Sequence, residues 1–178
     1  MSDADEKVEN LRSSLGHIYD AYRTALLNRK YYGHRLELTR RLSFWSEILI
    51  AIGATSSGGV AGLAIWGTIT GQYVWLWISG AATVVSVIKP AFQFGKSIEN
   101  YTKLWAGHTN IHLTLREVVE DINTKKAISS DTAKKYLESR QLNKELGGLD
   151  DPKPRERLVR SFQALVNREI PPESLWMP

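Results

Sequence analysis

The chain of 178 residues has no cysteine, which excludes a disulfide framework and any thiolate metal site. Proline is scarce, and none precedes Pro90. Charge is missing from one long stretch. Between Leu42 and Val87 the only formally charged side chain is Glu47, and all 23 Lys and Arg lie outside. The first 41 residues are highly charged and lack the apolar core of a secretory leader, so no cleaved signal is expected. The glycine-rich run GATSSGGVAG, Gly53 to Gly62, has the glycine spacing of a phosphate loop at Gly53 and Gly58. It lacks the lysine that would reach the phosphates: Gly59 and Val60 follow Gly58. His108 and His112 are four apart on one helix face, but no Glu follows His108, so the zinc-protease pattern is absent. They read as packing or interface residues, and no metal or cofactor is expected.

What is present is segregation. The averages, 43% hydrophobic and 24% charged, suit a soluble domain, yet the apolar residues concentrate in two runs. Residues 42–66 and 73–94, joined by the uncharged turn 67–72, predict a two-transmembrane helical hairpin. Arg23, Arg29, Lys30, Arg35, Arg40 and Arg41 before it, and Lys89, Lys96 and Lys103 after it, place both termini on the cytoplasmic side. Phe44, Trp45, Trp66, Tyr73, Trp75 and Trp77 have the positions of interfacial aromatic anchors.

Within the hairpin, Ala54, Gly58 and Gly62 recur every four residues, and Gly80 lies in a second small-residue cluster. Such ridges let helices approach closely. Either they zip the hairpin, or they and the hydroxyls Thr55, Ser56, Ser57, Ser79, Thr83 and Ser86 face other subunits or a pore. Glu47 falls level with Lys89 on the returning helix. The two either pair or place a carboxylate at a pore mouth.

The flanks are amphipathic. In residues 1–41, Val8, Leu11, Leu15, Ile18, Tyr22, Ala25 and Tyr32 step by threes and fours, with Arg29 interrupting. In residues 95–126, Tyr101, Leu104, His108, Ile111, Leu115, Val118 and Ile122 follow the same rhythm, starting from Phe94 and weak only at Ser97. The spacing predicts two long helices, each the partner of the other's seam. Residues 127–178 hold a short helix capped by Ser129-Ser130-Asp131, a linker through Gly147-Gly148 and Asp150-Asp151-Pro152-Lys153-Pro154, and a helix from Arg155 to Glu169. Arg155, Arg157, Arg160 and Arg168 form a solvated face beside anionic lipid, or a nucleotide or partner site. Leu175 and Trp176 are positioned to dock. The expected fold is an all-α membrane protein, a hairpin extended by long cytoplasmic helices with short helices after them.

The order of parts resembles the SLATT family, two-transmembrane modules linked to nucleotide-synthesising and nucleotide-sensing genes in prokaryotic conflict systems. The resemblance covers roughly Leu11 to Ile122. It is carried by Tyr19, Tyr22, Arg29 and Tyr31-Tyr32, by Phe44-Trp45 to Trp66, and by Tyr101, Leu104-Trp105, His108 and Leu115-Arg116-Glu117. It implies a multi-pass protein of the bacterial inner membrane, homo-oligomeric and in contact with lipids, that forms a pore during phage infection. A nucleotide second messenger or an infection-sensing protein would trigger it, and no nucleic-acid binding is expected. The alternative is a non-channel, membrane-anchored scaffold acting through its cytoplasmic helices. No acid–base, nucleophile or metal set converges in the sequence, so no enzymatic activity is expected.

Overall fold

A computed structural model describes residues 3–55, 73, 77, 80–87, 93–151 and 154–178. Among the described residues every regular element is helical, with no strand. Helix α1 spans Asp3–Thr55 and α2 spans Phe94–Lys125. Two shorter helices follow, α3 at Ser130–Leu146 and α4 at Glu156–Glu169. Short 3-10 turns occupy Gly147–Leu149 and Pro172–Ser174. With no proline before Pro90, nothing breaks α1, and it runs unbroken for 53 residues.

The chain divides into two compact units, residues 1–35 with 100–178, and residues 36–99. The first holds the seam that the spacing predicts. One cluster joins Leu15, Ile18 and Tyr19 to Val118, Val119 and Ile122. A second joins Ala25, Tyr31 and Tyr32 to Leu104, Ile111 and Leu115. Low numbers on α1 meet high numbers on α2, so the pair is antiparallel. Every seam position of α2 from Leu104 to Ile122 is buried, His108 included. Leu146 of α3 joins the second cluster, flanked by the half-buried Leu158, Val159 and Phe162 of α4. Val166 and Ile170 meet Leu26 in a third.

Local chemistry fixes where the short helices start. The Ser129 hydroxyl accepts from the Thr132 backbone N–H at 3.2 Å, capping α3 as its sequence signals. Thr132 Oγ1 donates to Asp121 Oδ2 at 2.8 Å, tying that cap to α2. Lys125, and then Thr132, hold the Asp121 carboxyl below its ordinary range.

The glycines that permit close approach in this unit are not in the glycine-rich run. A Cβ on Gly107 would sit 2.5 Å from Leu146 Cδ1 and 3.2 Å from Leu146 Cγ, so α3 closes directly on the α2 backbone. A Cβ on Gly33 would lie 3.1 Å from Trp105 Cδ1. Both lie in helices, where glycine is unfavourable by roughly 1 kcal/mol relative to alanine.

The unit of residues 36–99 corrects the expected localisation. Among the described residues no helix is long and apolar enough to cross a membrane. This overturns the placement as a multi-pass protein of the bacterial inner membrane. The described apolar part of α1, residues 42–55, covers only ~21 Å at 1.5 Å per residue, against a hydrocarbon core of ~30 Å. It also carries Glu47. Residues 56–66 of the first expected span, the whole turn 67–72 and 74–76, 78–79 and 88–92 of the second lie outside the described residues.

Helix propensity alone favours Gly107→Ala. Packing against Leu146 predicts the reverse, a lower denaturation midpoint than the parent chain. Adding Leu146→Ala should remove the further penalty of Gly107→Ala, measured as non-additivity in urea unfolding.

Candidate functional site: a stacked aromatic seam and a Tyr–Arg–Asp cluster

The α1–α2 seam carries two tyrosine–histidine stacks. The Tyr22 and His112 rings lie 5.0 Å apart between centroids and 5° from parallel. Those of Tyr32 and His108 are 5.4 Å apart and 6° from parallel. Tyr31 meets the edge of Tyr32 at 5.0 Å, and Tyr101 stacks beyond it at 6.3 Å. Aromatic pairs of this kind contribute about 0.5–1.5 kcal/mol beyond the area they bury.

His108 is 1% exposed, and neither ring nitrogen has a hydrogen-bond partner among the described residues. Burial pushes its pKa down, against a smaller opposing pull from Asp150. His112 is lowered by burial and then by the charge of Arg29, against a smaller opposing pull from a backbone hydrogen bond at Tyr22. Both imidazoles are therefore neutral at neutral pH and fill the seam as flat apolar plates.

Beside the Tyr32 stack lies a polar cluster. Tyr32 OH donates to Asp150 Oδ1 at 2.8 Å, and Tyr31 OH donates to Asp151 Oδ2 at 3.3 Å. The Tyr31 oxygen accepts from the Arg155 backbone N–H at 3.2 Å. Arg35 pairs with Asp151 at 3.1 Å and donates to Tyr101 OH at 2.5 Å, with both members of the ion pair largely buried. Burial, and then the bond to Asp150, push the Tyr32 hydroxyl pKa up. Tyr31 is raised too, chiefly by burial.

The arrangement fastens α1, α2 and the link between α3 and α4 at one place. Two adjacent tyrosines on α1 face two adjacent aspartates on the link. The hydroxyls stay protonated and donate to carboxylates, and the one guanidinium bridges a carboxylate and a third tyrosine. This is the chemistry of a latch, with the carboxylates and phenols spent on each other. Among the described residues no group of three or more His, Asp or Glu could hold a metal ion.

Of the seam residues named from sequence, Leu15, His108, Ile111 and Leu115 are all buried, Leu15 in one cluster and Ile111 and Leu115 in the other, with Tyr22 and Tyr101 half-buried at the edges. Glu47 is exposed and accepts from Ser43 Oγ at 3.4 Å. Lys89, Ser56, Ser57, Ser79, Gly58 and Gly62 lie outside the described residues, so the proposed Glu47–Lys89 pair does too. Ala54 and Thr55 form the last turn of α1. Gly80, Thr83 and Ser86 are exposed on a helical stretch, where Ser86 Oγ donates back to the Thr83 carbonyl at 2.8 Å. Asp150 and Asp151 read from sequence as linker. The available signal was a pair of adjacent acids to match the adjacent Tyr31 and Tyr32. No family model matches the chain, and no curated protein or solved structure does so either.

The depressed histidines have a signed consequence. Below the ordinary value of 6.5 the unfolded chain takes up protons that the folded chain refuses. Stability should be full above pH 6.5 and decline as pH falls below it. His108→Phe keeps a ring in the stack and should make that decline shallower in urea unfolding between pH 7 and 5. An unchanged slope contradicts the assignment. Asp151→Asn should cost roughly 1–3 kcal/mol, because it leaves Arg35 without its counter-charge.

Proposed function

We propose that the chain is a non-enzymatic assembly protein, in which a folded helical body carries an apolar arm that associates with the arms of other copies. The body is residues 1–35 with 100–178. The arm is the segment 36–99, read as an antiparallel helical hairpin of the two apolar runs. The observation that carries the proposal is the exposure of large apolar side chains on the arm. Trp45 is 63% exposed, Trp77 79% and Val87 72%, with Phe44, Leu42, Tyr73 and Val84 also above half. Large apolar side chains exposed in this number on one segment mark an interaction site.

The body supports the same reading. Tyr31 and Tyr32 are engaged with Asp151 and Asp150, the two seam histidines, His108 and His112, are buried as neutral rings, and the seam is closed by internal packing. Aromatic residues on the arm are the side chains that contribute most to protein interfaces. Glu37 and Arg41 pair with each other, one turn apart, on the stretch of α1 leading into the apolar run. That exposed pair suits the polar rim of an interface.

Val84→Glu with Val87→Glu places two carboxylates on the exposed stretch and leaves the sequence of the body unchanged. The parent protein should show concentration-dependent association in sedimentation velocity. The double variant should need at least tenfold more protein to associate, with the melting of the body unchanged. A parent chain that is monomeric at every concentration, or a variant that associates equally well, overturns the proposal.

A further inference from the structure

The segment after α4 lies against the helical body in an unusual way. Ile170 is buried, Pro171 and Pro172 redirect the chain, and residues 175–178 lie against α1 and the end of α2. Most of the polar contacts that hold them go to main-chain atoms. Tyr19 OH donates to the Trp176 carbonyl at 2.7 Å, and the Trp176 N–H donates to Asn123 Oδ1 at 3.2 Å. Arg12 donates from Nε and Nη2 to the Pro178 main-chain oxygen at 2.8 and 2.6 Å. Leu175 and Trp176 pack against the cluster of Leu15, Ile18, Tyr19, Val118, Val119 and Ile122. Lys126, held at a left-handed φ of 52°, brings its ammonium to 5.6 Å from the Trp176 ring.

This is how a groove binds an extended peptide: backbone hydrogen bonds supply affinity and one aromatic side chain supplies the anchor. Among the described residues neither Arg12 nor Lys126 has an Asp or Glu partner, and both cations are turned to the segment. The connection to α4 is weakly committed to the body. Its backbone bonds, Ser174 N to Pro171 O at 3.0 Å and Leu175 N to Pro172 O at 3.2 Å, are internal to the turn. Ser174 Oγ also returns to the Pro171 carbonyl, at 2.7 Å. The turn can therefore swing out intact.

We propose that the groove formed by Arg12, Tyr19, Asn123 and Lys126 is a peptide-binding site, and that its exchangeable occupant is the 175–178 segment of a second copy of this chain. A second copy offers the same backbone atoms and the same tryptophan, so every contact made within one chain is available between two. A short, proline-containing hinge is the connection through which such exchange occurs. The groove lies wholly within the helical body. Its test therefore stands or falls separately from association through the arm.

The experiment uses the full-length chain carrying Leu175→Ala and Trp176→Ala, which removes the segment's anchoring side chains and so loosens its hold on the groove without altering the groove's own residues. The probe is a fluorescein-labelled peptide of residues 168–178, followed by polarisation. The loosened chain should bind it with a Kd at least tenfold below that of the parent, whose groove is filled. Arg12→Gln in the loosened chain, or the Trp-to-Ala peptide, should each weaken binding at least fivefold. Equal binding by parent and loosened chain, or an unaffected Trp-to-Ala peptide, overturns the proposal. Hydrogen exchange on the parent needs no variant. The Trp176 amide should exchange through local opening, faster than the amides of Leu104 to Ile122, and exchange only through global unfolding overturns the proposal.

Discussion

Everything in the helical body depends on one contact, the antiparallel meeting of α1 and α2 along an apolar seam. Short isolated helices are marginal in water, and in proteins most helical stability comes from packing an apolar face. Here each long helix buries its face on the other, with Leu15, Leu104, Leu115 and Ile122 excluded from solvent almost completely. The shorter elements attach to that frame. Leu146 seats α3 over Gly107, Val166 seats α4 near Leu26, and Asp150 and Asp151 fasten the link to the tyrosines of α1. The segment 175–178 closes the far end of the same seam.

The seam is not uniformly aliphatic, and that shapes what the body can do. Two histidines occupy positions where leucine would pack, and each lies flat on a tyrosine. A buried imidazole such as that of His108, with no hydrogen-bond partner among the described residues, is tolerated only as the neutral form. The frame is thus most secure at neutral pH and weakens in acid, where both rings attract protons. The Tyr–Arg–Asp cluster adds the opposite kind of interaction next to the Tyr32 stack, with the Arg35–Asp151 ion pair largely buried. Breaking one member leaves another buried and uncompensated, so the cluster behaves as a unit.

Much of this was legible from spacing. The run Leu104, His108, Ile111, Leu115, Val118, Ile122 is all buried on α2, joined there by His112 and Val119, and Ser129 caps α3 as its hydroxyl and position imply. Periodicity works there because it reports a local geometric demand. The cluster was not legible, because Tyr32 and Asp150 are separated by 118 residues and only the packing of α3 brings them together. Nor did composition point to Gly33 and Gly107, since single glycines in helices gain meaning only from what lies opposite them. The apolar runs led to a wrong placement in an inner membrane: hydropathy identified a surface that water disfavours but not what covers it. The arm's exposed tryptophans pose that same question in structural form, and self-association is the answer proposed for them.

The frame is tested most directly at one facing pair, Tyr32 and His108. A double-mutant cycle with Tyr32→Leu and His108→Leu, followed by urea unfolding at pH 7.5, isolates the interaction across the seam. The two side chains should be coupled by about 0.5–1.5 kcal/mol, the range for stacked rings. Strict additivity of the two substitutions would contradict the antiparallel register on which the rest of the body is built.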